Sequence, residues 1–208
     1  MSEISGIDNE LEFVKYLNGK RVSDLNPMFR DLIEDLFSNV NEYLMIKCWS
    51  NYRKQKSDIF IRIDGLTKGI SIKKGMKNSV HVEGISSFIH FLIENKVERD
   101  VVIEYLKYHY ADGSTNGMGI ERLSVLEYKE KNQLSIDKIN EIFNEEKLLS
   151  AAIDRFVIKG RNADYYISAI IWGEVNDFLW LKTGEVKNII LSKKDLYSTA
   201  VHFGPMTV

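Results

Sequence analysis

The stretch Ser57-Asp58-Ile59-Phe60-Ile61-Arg62-Ile63-Asp64-Gly65-Leu66-Thr67-Lys68-Gly69-Ile70-Ser71-Ile72-Lys73-Lys74 alternates apolar and polar residues on both sides of an Asp-Gly pair. Alternation with period two marks strands with one buried face, and Asp-Gly favours the two-residue turn that joins antiparallel strands. A turn at Asp64-Gly65 sets Asp58 opposite Ser71, and Lys73 follows Ser71 on the same face. Ile59, Ile61, Ile63, Ile70 and Ile72 then share the other face and form a core layer. The hairpin therefore presents an acid and a lysine together on a rigid element.

The flanking sequence supplies further elements. Asn26-Pro27 is a helix start, with Asn as the cap and Pro where its missing N–H costs nothing. Phe29, Leu32, Ile33, Leu36 and Phe37 follow at helical spacing. Tyr43–Trp49 reads as a short strand, and a helical stripe runs from Val82 through Ile85, Phe88, Ile89, Leu92 and Ile93. Residues 98–110 fit a helix, with a strand at Val101–Ile103 as the alternative. Glycines 113, 117 and 119 make a loop, and helices are expected over Ile120–Lys131, Ile136–Phe143 and Leu148–Phe156. Tyr165–Trp172, Phe178–Lys182, Val186–Leu191 and Ala200–Phe203 read as strands. The expected class is α/β or α+β, one domain over residues 1–208, with a helical insertion at 98–160 and C-terminal strands at 161–208 completing the sheet.

Charge is unevenly placed in the 208 residues. The window Lys47–Lys77 holds nine basic residues and two acids, a net +7; the whole chain carries −2, so the remainder carries −9. A local basic field on an acidic chain suits a polyanion, and Trp49, Tyr52 and Phe60 among those charges can stack on bases or pack inward. The one cysteine, Cys48, excludes an internal disulfide and a Cys-rich zinc module, and reads as a core thiol. His81-Val82-Glu83 has the His-x-Glu form of zinc deaminases without their cysteine pair. His90 and His109 fall in helical patterns and read as structural. No apolar stretch approaches the roughly 20 residues of a membrane span. The acidic opening Met1–Glu10 does not fit a signal peptide, so a cytoplasmic location is expected.

The pairing of Asp58 with Lys73, in Ser57-Asp58-Ile-Phe-Ile and Ile70-Ser71-Ile72-Lys73, resembles the PD-(D/E)xK nuclease superfamily, the restriction-endonuclease-like fold. The segments Ile70–Lys73, Asn78–Glu83 and Ile153–Phe156 are similar to uncharacterised bacterial members. The resemblance covers roughly residues 27–97, in the order helix, three strands, helix. It implies a metal-dependent DNA endonuclease, with Mg²⁺ (or Mn²⁺) as cofactor and a role in bacterial defence. RNA stays open as a substrate, and a homodimer is the implied assembly for duplex cleavage.

By that resemblance Asp58 binds the metal and Lys73 handles the attacking water. Arg53, Lys54, Lys56, Lys74 and Lys77 hold the nucleic-acid backbone. Two positions depart from the pattern: Ser57 replaces the proline, and Ser71 stands where the second carboxylate belongs. Glu83 is the expected replacement, a catalytic residue supplying the second metal-binding carboxylate, with Glu42 second. The alternative is a catalytically inactive nuclease-fold protein that binds nucleic acid or a protein partner.

Overall fold

The computed structural model describes residues 6–52, 56–74, 83–160, 166–194 and 200–207. Among the described residues, seven α-helices and a five-stranded mixed sheet give an α+β architecture. The described residues divide into two compact units, one within Met1–Ser79 and Val157–Val186, the other within Val80–Phe156 and Lys187–Val208.

The first unit is built on the hairpin. Strand β1 (Lys47–Ser50) pairs antiparallel with β2 (Ile59–Ile63), and β2 pairs antiparallel with β3 (Leu66–Lys73). Asp64 and Gly65 both have positive φ, 47° and 77°, as a two-residue turn matching the strand twist requires. Ile59 faces Ile70 and Ile63 faces Leu66, the register that the alternation predicts. Asp58 lies just before β2 and its N–H bonds Ile70 O, so the ladder is irregular there, yet its side chain still meets that of Ser71. β3 then pairs in parallel with β4 (Ile167–Glu174), which pairs antiparallel with β5 (Asp177–Lys182), giving the order β1-β2-β3-β4-β5.

Two helices cover the isoleucine face. Helix α2 (Pro27–Phe37) starts as predicted, with the Asn26 side chain accepting from Phe29 N at 2.9 Å. Helix α1 (Gly6–Leu17) was not anticipated. Its Phe13 meets Phe29 of α2 and Phe178 of β5 at ring-centroid distances of 5.8 and 5.3 Å. Buried Asn9 donates to Gly173 O at 2.9 Å, and Cys48 N donates to Asn18 Oδ1 at 3.1 Å, tying the two ends of the helix to opposite regions of the sheet. Asp35 of α2 accepts from Trp180 Nε1 and Lys182 Nζ on β5, and the lysine bond chiefly holds its carboxyl below the usual range.

The second unit contains α3 (Ile85–Glu94), α4 (Arg99–Tyr110), α5 (Val125–Phe143) and α6 (Glu146–Ala152), the last running into a π-helical turn at Ile153. Residues 98–110 thus resolve as helix, and α5 spans two predicted helices across a kink at Asn132. Its core is aromatic: Phe143 and Phe203 stack at 4.4 Å, and Phe88 stacks on Phe156 at 5.7 Å.

The C-terminal region corrects the expectation of strands throughout. Val186–Leu191 lies in helix α7 (Thr183–Ser192), whose start is fixed by Glu185 Oε2 accepting from Lys182 N at 2.8 Å. The short strands β6 (His202–Phe203) and β7 (Met206–Thr207) pair with each other and not with the five-stranded sheet.

Gly69 is required on β3 by space. A Cβ there would collide with Ser57 Oγ and lie 3.1 Å from the Tyr166 carbonyl oxygen. Gly69→Ala should cost about 1–3 kcal/mol of unfolding free energy. A fall in the urea midpoint at unchanged m-value checks this; an unaltered midpoint contradicts it.

Candidate active site

The site begins where the β2–β3 ladder ends. Asp58 N donates to Ile70 O at 2.8 Å, and Asp58 O accepts from Asn51 N at 2.8 Å, so the backbone is pinned on both sides. The next N–H along β3, that of Ile72, has no strand partner on the β2 side. Asp58 Oδ2 takes it at 2.6 Å and also accepts from Ser71 Oγ at 2.9 Å. The carboxylate therefore closes the ladder with its side chain and is held in one orientation. Lys73 Nζ lies 3.8 Å from the same oxygen; both side chains are partly exposed, at 38% and 22%. Among the described residues nothing bonds Oδ1.

Ser71, 4% exposed, acts here as a donor that steadies Asp58. Ser57 is also buried, its carbonyl accepting from Asn51 Nδ2 at 2.8 Å. Its Oγ finds no partner among the described residues.

Glu10 of α1 joins this pair. Burial chiefly raises its carboxyl above the ordinary 4.5; the Asp58 charge raises it further, and the Lys73 charge opposes both. The charges of Asp58 and Lys73 thus both act on Glu10, whose helix is positioned by the Asn9–Gly173 bond next to it. The sequence carried a weak signal for this helix in Asn9, Phe13 and Leu17, spaced at four residues and buried in the fold.

The other predicted residues are placed as follows. Glu83, in the second unit, accepts from Arg155 Nε at 3.1 Å and Arg155 Nη2 at 3.0 Å, a two-point ion pair. Glu42 bonds the Tyr43 hydroxyl, which is raised by it. Lys74 lies 3.5 Å from Glu174, and Lys56 is half-buried with its stem against Gly160. Arg53, Lys54 and Lys77, and His81 with them, lie outside the described residues.

Cys48 is buried and its thiol is pushed up to about 12 by that burial, a core thiol as expected. The loop Gly113–Gly119 closes on Asp112, whose carboxylate accepts from Ser114 N and Gly119 N. Among the described residues no group of three or more His, Cys, Asp or Glu converges as a metal cluster, and no helix is long and apolar enough to cross a membrane. No protein-family model matches the chain, and no curated protein matches it.

The raised Glu10 carboxyl has a signed consequence for stability. A folded-state value above the unfolded one favours the protonated form, so its contribution is fully present below pH 4.5 and is lost as pH rises through the folded value. Glu10→Gln should therefore melt higher than the parent at pH 7 and converge with it near pH 4. Calorimetry at the two pH values reads this directly, and a Gln variant less stable at pH 7 would contradict it.

Proposed function

We propose that this chain is a metal-dependent nuclease of the restriction-endonuclease-like fold, hydrolysing phosphodiester bonds in DNA. The observation that carries the reading is the fixed Asp58 carboxylate at the end of the β2–β3 hairpin, with Lys73 3.8 Å away and Glu10 coupled to both. The succession of helix, three strands and a following parallel strand supports the same reading.

The donor set fits Mg²⁺, an ion usually held by one or two carboxylates together with substrate phosphate and water. Asp58 offers Oδ1, and Glu10 is a second carboxylate whose like-charge strain with Asp58 a cation would relieve. Glu10 thus takes the role for which the sequence nominates Glu83, which here is committed to Arg155. Bound Mg²⁺ would stabilise charge developing on the scissile phosphate. Lys73 Nζ would orient the attacking water against that phosphate, while Ser71 Oγ and the Ile72 N–H keep Asp58 aimed. Lys56 and Lys74, with Arg53, Lys54 and Lys77, would hold the backbone through charge, making affinity fall with salt. A role in bacterial defence and a homodimeric form remain part of this proposal.

One observation favours a second reading: Ser71 occupies the position of the second acid, which suits a nuclease fold that binds nucleic acid or a protein partner without cutting.

Single-stranded circular DNA and supercoiled plasmid, each incubated with Mg²⁺ or Mn²⁺ and with EDTA as control, separate the two. The parent should nick in a metal-dependent manner, and Asp58→Asn, Lys73→Ala and Glu10→Gln should each lower the rate by about a hundredfold or more. Glu83→Gln should keep the activity in its folded fraction. Cleavage persisting in both Asp58→Asn and Lys73→Ala would sink the assignment. A folded parent that binds DNA without cutting it would establish the second reading.

A further inference from the structure

The face of the hairpin that carries Asp58 continues away from the acid in an ordered row. Phe60 and Arg62 are alternate residues on one side of β2, about 7 Å apart, and Asp58 lies just before the strand, two residues ahead of Phe60. Across the ladder Phe60 faces Trp49 of β1, and Arg62 faces Lys47. The Trp49 and Phe60 rings lie 5.6 Å apart at an interplanar angle of 31°. Trp49 is 39% exposed on β1, the edge strand of the sheet, and Tyr52, just beyond the end of β1, is 91% exposed. Exposed aromatic side chains on the polar face of an edge strand gain nothing from the core, which lies on the isoleucine side.

The Lys47–Arg62 pair is equally uneconomical for a free protein. Like charges directly opposite on neighbouring strands destabilise a sheet. Both side chains are exposed, and among the described residues neither forms an ion pair; Arg62 Nε makes only a 3.4 Å bond to Gly65 O. A polyanion laid along this edge would neutralise the two cations and cover the two rings together.

From this juxtaposition of Asp58, the Trp49–Phe60 pair and the Lys47–Arg62 pair, we infer that the substrate is a single-stranded nucleic acid, with a base stacked on Trp49 beside the scissile phosphate and a flanking phosphate held by Lys47 and Arg62. The inference rests on the nuclease reading and adds the substrate class. It commits to a single strand because bases in a duplex have their faces buried against one another, whereas an unpaired base offers its face to an aromatic ring whatever its sequence. The basic window, +7 between Lys47 and Lys77, supplies the complementary field.

The test is direct binding without metal, so that cleavage does not enter. Fluorescence anisotropy of a labelled 12-nucleotide single strand and of its blunt duplex would be followed in EDTA at several salt concentrations. The parent should bind the single strand at least tenfold more tightly than the duplex. Trp49→Ala should weaken single-strand binding by about 5- to 150-fold, the effect of losing one stacked base, with duplex binding within twofold. Trp49→Phe should keep most of the affinity, and Phe60→Leu, which preserves the apolar cover, should weaken it. Lys47→Ala with Arg62→Ala should lower the slope of log affinity against log salt by about 1.4, two phosphates at 0.7 each.

Equal affinity for duplex and single strand would overturn the inference, as would no binding to either, or single-strand affinity unchanged in folded Trp49→Ala. A chain that cuts plasmid yet shows no single-strand preference keeps the nuclease reading and loses this one. A chain with Trp49-dependent single-strand binding and no metal-dependent cleavage does the reverse.

Discussion

The two-residue turn at Asp64 and Gly65 governs the hairpin because a strand has a period of two. Both residues occupy the left-handed region, the geometry in which a two-residue loop continues the twist of the strands it joins. A slip of one residue would carry Asp58, Ser71 and Lys73 into the isoleucine layer and put five isoleucines into solvent. The burial of Ile59, Ile61, Ile63, Ile70 and Ile72 therefore enforces the same register that the turn selects. Core formation and presentation of the polar group are one event, since each residue's face is the complement of its neighbours'.

Helix α1, which precedes the hairpin in sequence, brings a further acid under the charges of Asp58 and Lys73. Helix α1 is fastened at both ends, Asn9 to Gly173 and Asn18 to Cys48, and in the middle by Phe13 against Phe29 and Phe178. The fastening fixes the backbone that carries Glu10. Burial and a neighbouring negative charge both oppose its ionisation, and only Lys73 offsets them. A fold does not gain from such an arrangement by itself. Burial and a like charge beside Glu10 are the conditions that perturb carboxyl groups at functional sites, which is why the proposed cation site is placed there.

Ser71 fits the same logic. A carboxylate at this 4%-exposed position would add a third negative charge beside Asp58 and Glu10. A hydroxyl instead donates to Asp58 and joins the Ile72 N–H in fixing its orientation. Glu83 is paired with Arg155, and in the proposed site Glu10 on the helix supplies the second acid.

The hairpin, its register, the meeting of the Asp58 and Ser71 side chains and helix α2 were legible in the sequence, because each is decided by neighbours within about twenty residues: alternation, a turn pair, a cap and a helical stripe. Val186–Leu191 was misread because a short apolar run fits either period; the Glu185 bond to Lys182 N decides it as helix. Residues 98–110 were ambiguous for the same reason. Glu10 was beyond local reading altogether. Its meaning depends on a hydrogen bond between Asn9 and Gly173, 164 residues apart, and on the packing of Phe13 against α2 and β5. By itself the sequence determined which residues share a face of the hairpin, since a strand's period is a property of its backbone. Only the tertiary structure decided which distant carboxyl feels the charges of Asp58 and Lys73, because charge coupling depends on distance in space and burial, neither of which has a period along the chain.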